Sequence, residues 1–181
     1  MTILVTGGGG FLGLALLKAL QARGASLRTI NRSKHPELDE LGIEVLQGDL
    51  ADYKTVLQAL TGVDAIFHVA AKPGVWGPYA DYFDANVKAT LNILKACRDL
   101  GINKLIYTSS PSVTFAGFDQ ENVDESAPYP SAYLAAYPDT KAMAERLVLE
   151  ANDADLATVS LRPHRIWGPG DRHLVPRVID K

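Results

Sequence analysis

Six short stretches rich in Ile, Val and Leu recur along the chain, near residues 2–6, 26–31, 43–47, 64–69, 104–109 and 156–161. Their length and composition predict β-strands. Helix-like stretches lie between them near 11–23, 52–60, 80–100 and 138–152. Such alternation predicts an α/β fold, a doubly wound parallel sheet with helices on both faces. Gly24 and Gly101 stand just past two of the helices, where a chain leaving a helix favours glycine, and Thr61-Gly62 closes a third. Residues 117–130 are polar and contain proline, which reads as a long loop over an active site. The final segment, 163–181, holds a Gly-Pro-Gly turn and then Leu174, Val175, Val178 and Ile179, the beginning of an amphipathic helix. The expectation is one α/β domain over 1–181, with 163–181 opening a truncated further part of a partial chain.

With 181 residues, 47% of them hydrophobic, the chain can bury one core. A net charge of −3 with mixed signs leaves no basic field for nucleic acid. The single cysteine, Cys97, lies among Ile93, Leu94 and Leu100 and reads as a buried structural thiol. The N-terminus lacks the pattern of a secretion signal, and no apolar run approaches the about 18 residues of a membrane span. A cytoplasmic, soluble protein is expected.

The glycine run sharpens this picture. Thr6-Gly7-Gly8-Gly9-Gly10-Phe11-Leu12-Gly13 follows the first strand and opens the first helix. Glycines there let the backbone turn tightly, admit a pyrophosphate and bring helix and strand close. The first helical residues, Phe11 and Leu12, then offer N–H groups to a phosphate. Two registers fit: Gly8, Gly10 and Gly13 form Gly-x-Gly-x-x-Gly, while Gly7, Gly10 and Gly13 form Thr-Gly-x-x-Gly-x-x-Gly. Either predicts a bound dinucleotide.

Tyr137 and Lys141 form Tyr-x-x-x-Lys, with Pro138 expected at the first helical position. Four residues apart, they share one helix face. An ammonium beside a phenol favours the phenolate, lowering its pKa and making Tyr137 a proton donor or acceptor for a carbonyl/alcohol pair. Ser109 and Ser110 end the fifth strand, where a hydroxyl would orient the substrate oxygen; turn formation is the other reading. The four histidines, His35, His68, His164 and His173, are scattered, so neither a metal site nor a hydrolase triad is expected. The second strand ends in Asn31-Arg32-Ser33-Lys34, without the carboxylate that holds an NAD ribose. A guanidinium and a hydroxyl there favour the 2′-phosphate of NADP over NAD.

Taken in order, Thr6-Gly7-x-x-Gly10-x-x-Gly13, Gly48-Asp49-Leu50, His68-Val69-Ala70-Ala71, Tyr107-Thr108-Ser109-Ser110, Tyr137-x-x-x-Lys141 and Leu161-Arg162-Pro163…Gly168-Pro169-Gly170 resemble the extended short-chain dehydrogenase/reductases. Ala70-Ala71-Lys72 with Trp76-Gly77, the Tyr107–Thr114 run and the Leu161–Asp171 run resemble its 3β-hydroxysteroid dehydrogenase branch, and within it the bacterial 2-alkyl-3-oxoalkanoate reductases.

The resemblance implies a Rossmann domain, with Tyr137 as acid/base, Lys141 as its partner and ribose ligand, and Ser110 orienting the substrate oxygen. Ser109 stands in reserve, because Val113-Thr114-Phe115 replaces the family's Val-Tyr-Gly. Asp49 and Leu50 would border the adenine, although Asp49 also reads as a turn or N-cap residue. Ala70, Ala71 and Lys72 would line the nicotinamide side, Thr108 would border the cofactor, and Pro163 would lie near the carboxamide. Asn86 would be a structural or relay residue. The implied activity interconverts 3-oxo and 3-hydroxy groups on a lipid-like or steroid-like small molecule. Val75, Trp76 and Tyr79, which follow the fourth strand, read as an apolar substrate wall or equally as an ordinary packed loop. The rivals are a nucleotide-sugar epimerase or dehydratase and a non-catalytic dinucleotide-binding module. Pairing through the two long helices would make a homodimer.

Overall fold

All six strands form within one residue of their predicted bounds: β1 (Thr2–Thr6), β2 (Ser26–Asn31), β3 (Glu44–Gln47), β4 (Ala65–His68), β5 (Lys104–Thr108) and β6 (Ala157–Leu161). The structure is a computed structural model and describes residues 1–74, 76–171 and 179. The strands make one parallel sheet in the order β3-β2-β1-β4-β5-β6. The order reverses between β1 and β4, and ligands of such sheets lie outside the carboxyl ends at that switch point.

Alternation along the strands divides the core between the two faces. Leu4, Ile66 and Leu105 point to one side, where they meet Val56, Leu60, Ile93 and Val148. Ile3, Val5 and Leu27 point to the other and meet Leu17 and Leu38. Each such fully buried aliphatic side chain contributes about 1.5–3 kcal/mol relative to leaving it exposed. The first face is covered by α3 (Tyr53–Leu60), α5 (Ala89–Leu100) and α6 (Ala136–Glu150), the second by α1 (Phe11–Gln21) and the single turn α2 (Pro36–Asp39).

Capping explains where several helices start and stop. The Asp52 carboxylate accepts from Lys54 N and Thr55 N at the start of α3. Its hydrogen bond from the Thr55 hydroxyl is the main reason its pKa is lowered. α5 ends at Gly101, in left-handed backbone (φ 68°), with Ile102 N donating to Cys97 O at 2.9 Å. Cys97 is buried, and burial pushes its thiol up to about 12, as suits a structural residue.

Three local features differ from expectation. The predicted helix 80–100 is α4 (Tyr79–Tyr82), a wide π-helical segment (Phe83–Lys88) and then α5. The Ala89 N–H reaches back five residues to Asp84 O, and this widened turn carries the inward-facing, buried Asn86. α6 begins at Ala136, so Pro138 is the third helical residue rather than the first. Its missing N–H still costs nothing, because the first four N–H groups of a helix have no intrahelical acceptor. The short turns Pro36–Asp39 and Pro111–Thr114 carry no periodicity and escape pattern reading. Residues 115–135 form no helix or strand, and this loop is tied down by two tyrosines: Tyr133 donates to Val113 O and Tyr129 to Glu145. Val75, Leu174, Val175 and Val178 lie outside the described residues. Among the described residues, no helix is long and apolar enough to cross a membrane.

Candidate active site

The glycine turn leaves β1 at the switch point, and steric demand falls on all of it. Gly7 adopts φ +69°, and a Cβ there would lie 3.0 Å from Ala70 Cα. A Cβ on Gly13 would lie 2.2 Å from Gly7 O, and one on Gly8 2.3 Å from Thr29 Oγ1. Gly7, Gly8 and Gly13 are therefore needed as glycines. Gly10 differs, since its Cβ would meet only Gly7 O, at 3.3 Å. That open side, next to the N–H groups at the start of α1, is a cradle that fits a dinucleotide pyrophosphate.

The end of β2 supports the turn. Asn31 is buried and its Oδ1 accepts from Gly9 N at 2.9 Å, so it buttresses the loop. The next residues, Arg32, Ser33 and Lys34, are exposed, and the Ser33 hydroxyl pairs with His35 Nε2 at 3.2 Å. The His35 ring occupies the space a Gly9 Cβ would need. Asp49 is exposed and its carboxylate accepts from Ala51 N at 2.8 Å, the turn role; Asp52, not Asp49, caps α3. Leu50 is buried.

On the other side of the switch point, β5 and α6 bring Ser110, Tyr137 and Lys141 together. Ser110 caps the Pro111–Thr114 turn and shares a 2.8 Å bond with the Ser112 hydroxyl. Burial raises the pKa of the Tyr137 phenol, and a hydrogen bond from Ser110 opposes that. Lys141 is buried; its Nζ donates to Thr108 O at 2.6 Å and lies 4.1 Å from the centre of the Tyr107 ring. Burial pushes its ammonium down to about 7, against the pull of Glu145. The expected lowering of the Tyr137 pKa by Lys141 is thus absent here. Burial dominates, because the ammonium is committed to a carbonyl and a ring.

Ser109 is buried behind this group, and its hydroxyl closes no hydrogen bond of normal length, although it faces the Glu145 carboxylate closely enough to favour its charge. Ala70, Ala71 and Lys72 line the carboxyl end of β4, half-buried. Lys72 N donates to Asn86 Oδ1 at 2.8 Å, and its ammonium lies 3.2 Å from Asp81. Trp76 and Tyr79 are exposed nearby in sequence, with Tyr79 donating to Asp139 on α6. Pro163, half-buried, follows the end of β6.

A cluster missed in the sequence braces α6 against β6. Glu145, fully buried, accepts from Tyr129 at 2.6 Å, from Ser160 at 3.0 Å and from two nitrogens of Arg162, the shorter at 2.6 Å. Burial alone would raise its carboxyl, but bonds from Arg162 and Tyr129, with the Ser109 hydroxyl close by, outweigh that and hold it below its usual range. Its contribution to stability is therefore present above the ordinary carboxylate range and lost as pH falls through the lowered value. Arg162→Ala would strand this charge and should cost about 3 kcal/mol in urea unfolding. A loss under about 1 kcal/mol would show the pair to be incidental. The only advance sign was spacing, with Glu145 one turn beyond Lys141.

Residues 4–181 match the model of the 3-beta hydroxysteroid dehydrogenase/isomerase family. The chain belongs to that family. Among curated relatives of this 3-beta hydroxysteroid dehydrogenase/isomerase member, the 2-alkyl-3-oxoalkanoate reductase of Stenotrophomonas maltophilia is 53% identical over 183 residues, covering 100% of this chain and 56% of that protein. The mouse (Mus musculus) decarboxylating sterol-4-alpha-carboxylate 3-dehydrogenase is 37% identical over 182 residues, covering 97% of this chain and 49% of the enzyme. The chain spans about half the length of the curated relatives it matches. Among solved structures, MoeE5 with UDP-glucuronic acid and NAD superposes with a TM-score of 0.82 at 32% identity, covering 95% of this chain and 57% of that one. The UDP-glucose 4-epimerase of Thermus thermophilus with NAD gives 0.78 at 29%, covering 90% and 54%. The fold is thus the Rossmann-like one of the extended short-chain dehydrogenase/reductases.

Proposed function

We propose that this chain carries the cofactor-binding and catalytic residues of an NADP(H)-dependent reductase that interconverts 3-oxo and 3-hydroxy groups on a lipid-like or steroid-like substrate. The observation that carries the reading is the placement of Ser110, just past β5, against the first turn of α6, where Tyr137 and Lys141 stand one helical turn apart, beside the glycine cradle at the switch point. The relatives named as oxoalkanoate reductase and sterol dehydrogenase support the substrate class. A bound nicotinamide would supply or accept the hydride. Tyr137 would give its proton to the substrate oxygen, and Ser110 would hold that oxygen by a hydrogen bond. Lys141, positive when protonated, would favour the phenolate left behind. Gly7, Gly10, Phe11, Leu12 and Gly13 would hold the pyrophosphate. Leu50, Asp49, Ala70, Ala71, Thr108 and Pro163 would line the rest of the cofactor site.

Reduction of a 2-alkyl-3-oxoalkanoate by NADPH, with matching loss of cofactor, tests this reading. Conversion of UDP-glucose without net change in cofactor would instead make the chain an epimerase. Binding of NADPH with no turnover of either would leave a dinucleotide-binding module. Pairing of two copies through α5 and α6, which expose Leu91, Leu100, Met143 and Leu149, belongs to the same proposal. A monomeric mass by light scattering contradicts it.

Arg32 decides the choice between cofactors. Its side chain is exposed at the end of β2, Asn31 is spent on Gly9, and none of residues 31–34 is a carboxylate that would repel a 2′-phosphate. Arg32→Ala should weaken NADPH binding roughly tenfold to a hundredfold, the size of a charge-assisted hydrogen bond, and leave NADH nearly unchanged. Titration of both cofactors checks this; an alanine variant that keeps its NADPH preference removes Arg32 from the role.

A further inference from the structure

His68, at the carboxyl end of β4, is buried between the two halves of the site, with both ring nitrogens engaged. Nδ1 lies 2.8 Å from Thr6 Oγ1, and Nε2 lies 3.0 Å from Thr90 Oγ1. The neighbouring bonds fix the direction of each. Thr90 Oγ1 is 2.6 Å from Asn86 O, which can only accept, so the Thr90 proton goes there and its oxygen must accept from His68. Nε2 therefore carries the imidazole proton, and Nδ1 accepts from Thr6. Thr6 Oγ1 is left to accept from Val69 N and Ala70 N, each at 3.0 Å. Each hydroxyl proton in the chain of bonds then has one acceptor: Nδ1 for Thr6 and Asn86 O for Thr90, whose hydroxyl also stands beside that of Tyr107.

The bonds continue to the backbone of the turn that carries Tyr137. Asn86 Nδ2 donates to Thr140 Oγ1 at 3.0 Å, and the Thr140 hydroxyl donates to Ala136 O at 2.7 Å, with Tyr137 O at 3.2 Å. Thr6 opens the glycine turn; Ala136 and Tyr137 open α6. The bonded path thus runs from the pyrophosphate cradle to the first turn of the helix that bears Tyr137 and Lys141.

We propose that His68 is a positioning residue: locked as the Nε2–H imidazole, it ties the glycine turn through Thr90 and Asn86 to the Tyr137 turn and holds cofactor and proton donor in register. The proposal rests on the reductase reading above. A second ring proton would have no acceptor, because Thr6 already receives two N–H groups and needs Nδ1 for its own proton. The groups that face the ring reinforce this: Lys141 is close enough to repel a cation, and the Tyr107 ring lies 5.5 Å away, centre to centre. Burial, and then Lys141, hold the imidazole far below its usual range, at about 3.

Thr90 is the place to cut the chain, because valine keeps its shape and removes only the hydroxyl. Thr90→Val should lower kcat for 3-oxo reduction roughly tenfold or more, the scale expected when a catalytic group is displaced by a fraction of an ångström. KM for the 3-oxo substrate should stay near that of the wild type, and Thr90→Ser should restore the rate. A packing role alone would leave Thr90→Val at the wild-type kcat, and that result overturns the proposal. A second measurement needs neither a variant nor turnover. Long-range proton–nitrogen spectra of the whole chain should show His68 protonated at Nε2 and bare at Nδ1 from about pH 5 to about pH 8, where free histidines titrate. The opposite tautomer, or a titrating ring, also overturns it. A wild-type chain that binds NADPH but reduces no 3-oxo substrate removes the reductase reading and the positioning role together, and the tautomer spectrum tells that failure apart from an error in the bond assignment.

Discussion

Tyr137→Phe is expected to reduce 3-oxo reduction about a thousandfold, within the 10²–10⁴ range for losing a general acid, while the NADPH dissociation constant changes less than about twofold. Phenylalanine keeps the half-buried ring in the first turn of α6 and removes only the oxygen that Ser110 contacts. Lys141 keeps its hold on Thr108 O and its position over the Tyr107 ring, so the backbone of the site has no reason to move. The proton for the developing alkoxide must then come from water, which is neither positioned nor acidic enough. Steady-state rates and a fluorescence titration with NADPH separate the two effects. Retention of more than about a tenth of the activity would assign the proton to another group.

Gly13→Val should be the most damaging single change to the cofactor cradle. A Cβ at position 13 would lie 2.2 Å from Gly7 O and 2.8 Å from Gly7 C, and these are backbone atoms that cannot rotate aside as a side chain does. Either α1 backs away from β1 or the Gly7 turn opens, and both displace the N–H groups meant for phosphate. Unfolding free energy should fall by about 3 kcal/mol, the upper range for overpacking, with NADPH affinity lost more than a hundredfold. Gly10→Ala separates fold from ligand. Its Cβ would press only on Gly7 O, at 3.3 Å, so stability should fall by less than in Gly13→Val while the cradle fills. Urea unfolding and NADPH titration of both variants check the pair. A Gly13→Val chain that binds NADPH as the wild type does would mean that α1 and the turn are not closely packed.

The parts of this molecule that were legible in its sequence are those written in local patterns. Strands announce themselves by β-branched runs, the cradle by glycines between β1 and α1, and the Tyr137/Lys141 pair by helical spacing. The parts that were not legible are pairings between distant segments. Nothing near Asn31 shows that it will be consumed by Gly9, and nothing near Lys141 shows that its ammonium will settle on Thr108 O beside Tyr107. The expectation that Lys141 would lower the Tyr137 pKa came from spacing alone, and spacing does not report burial, which dominates both groups. The buried Glu145–Arg162 brace and the His68–Thr90 bridge each tie a helix to the end of a strand, across 17 and 22 residues. The widened turn at Phe83–Lys88 was hidden for a related reason, since its apolar spacing differs little from that of an ordinary helix and only Asn86, turned toward Lys72 and Thr140, marks it.

In the proposed reaction a hydride moves between a nicotinamide and a 3-oxo group, with Tyr137 as proton donor. A single-turnover mixture of the chain, NADPH and a 2-alkyl-3-oxoalkanoate tests it most directly. NADPH should be lost in one-to-one proportion with the 3-hydroxy product, and about a thousandfold more slowly with Tyr137→Phe at equal NADPH occupancy. NADPH that is bound by the wild type yet never consumed, or consumed equally well by Tyr137→Phe, would contradict it.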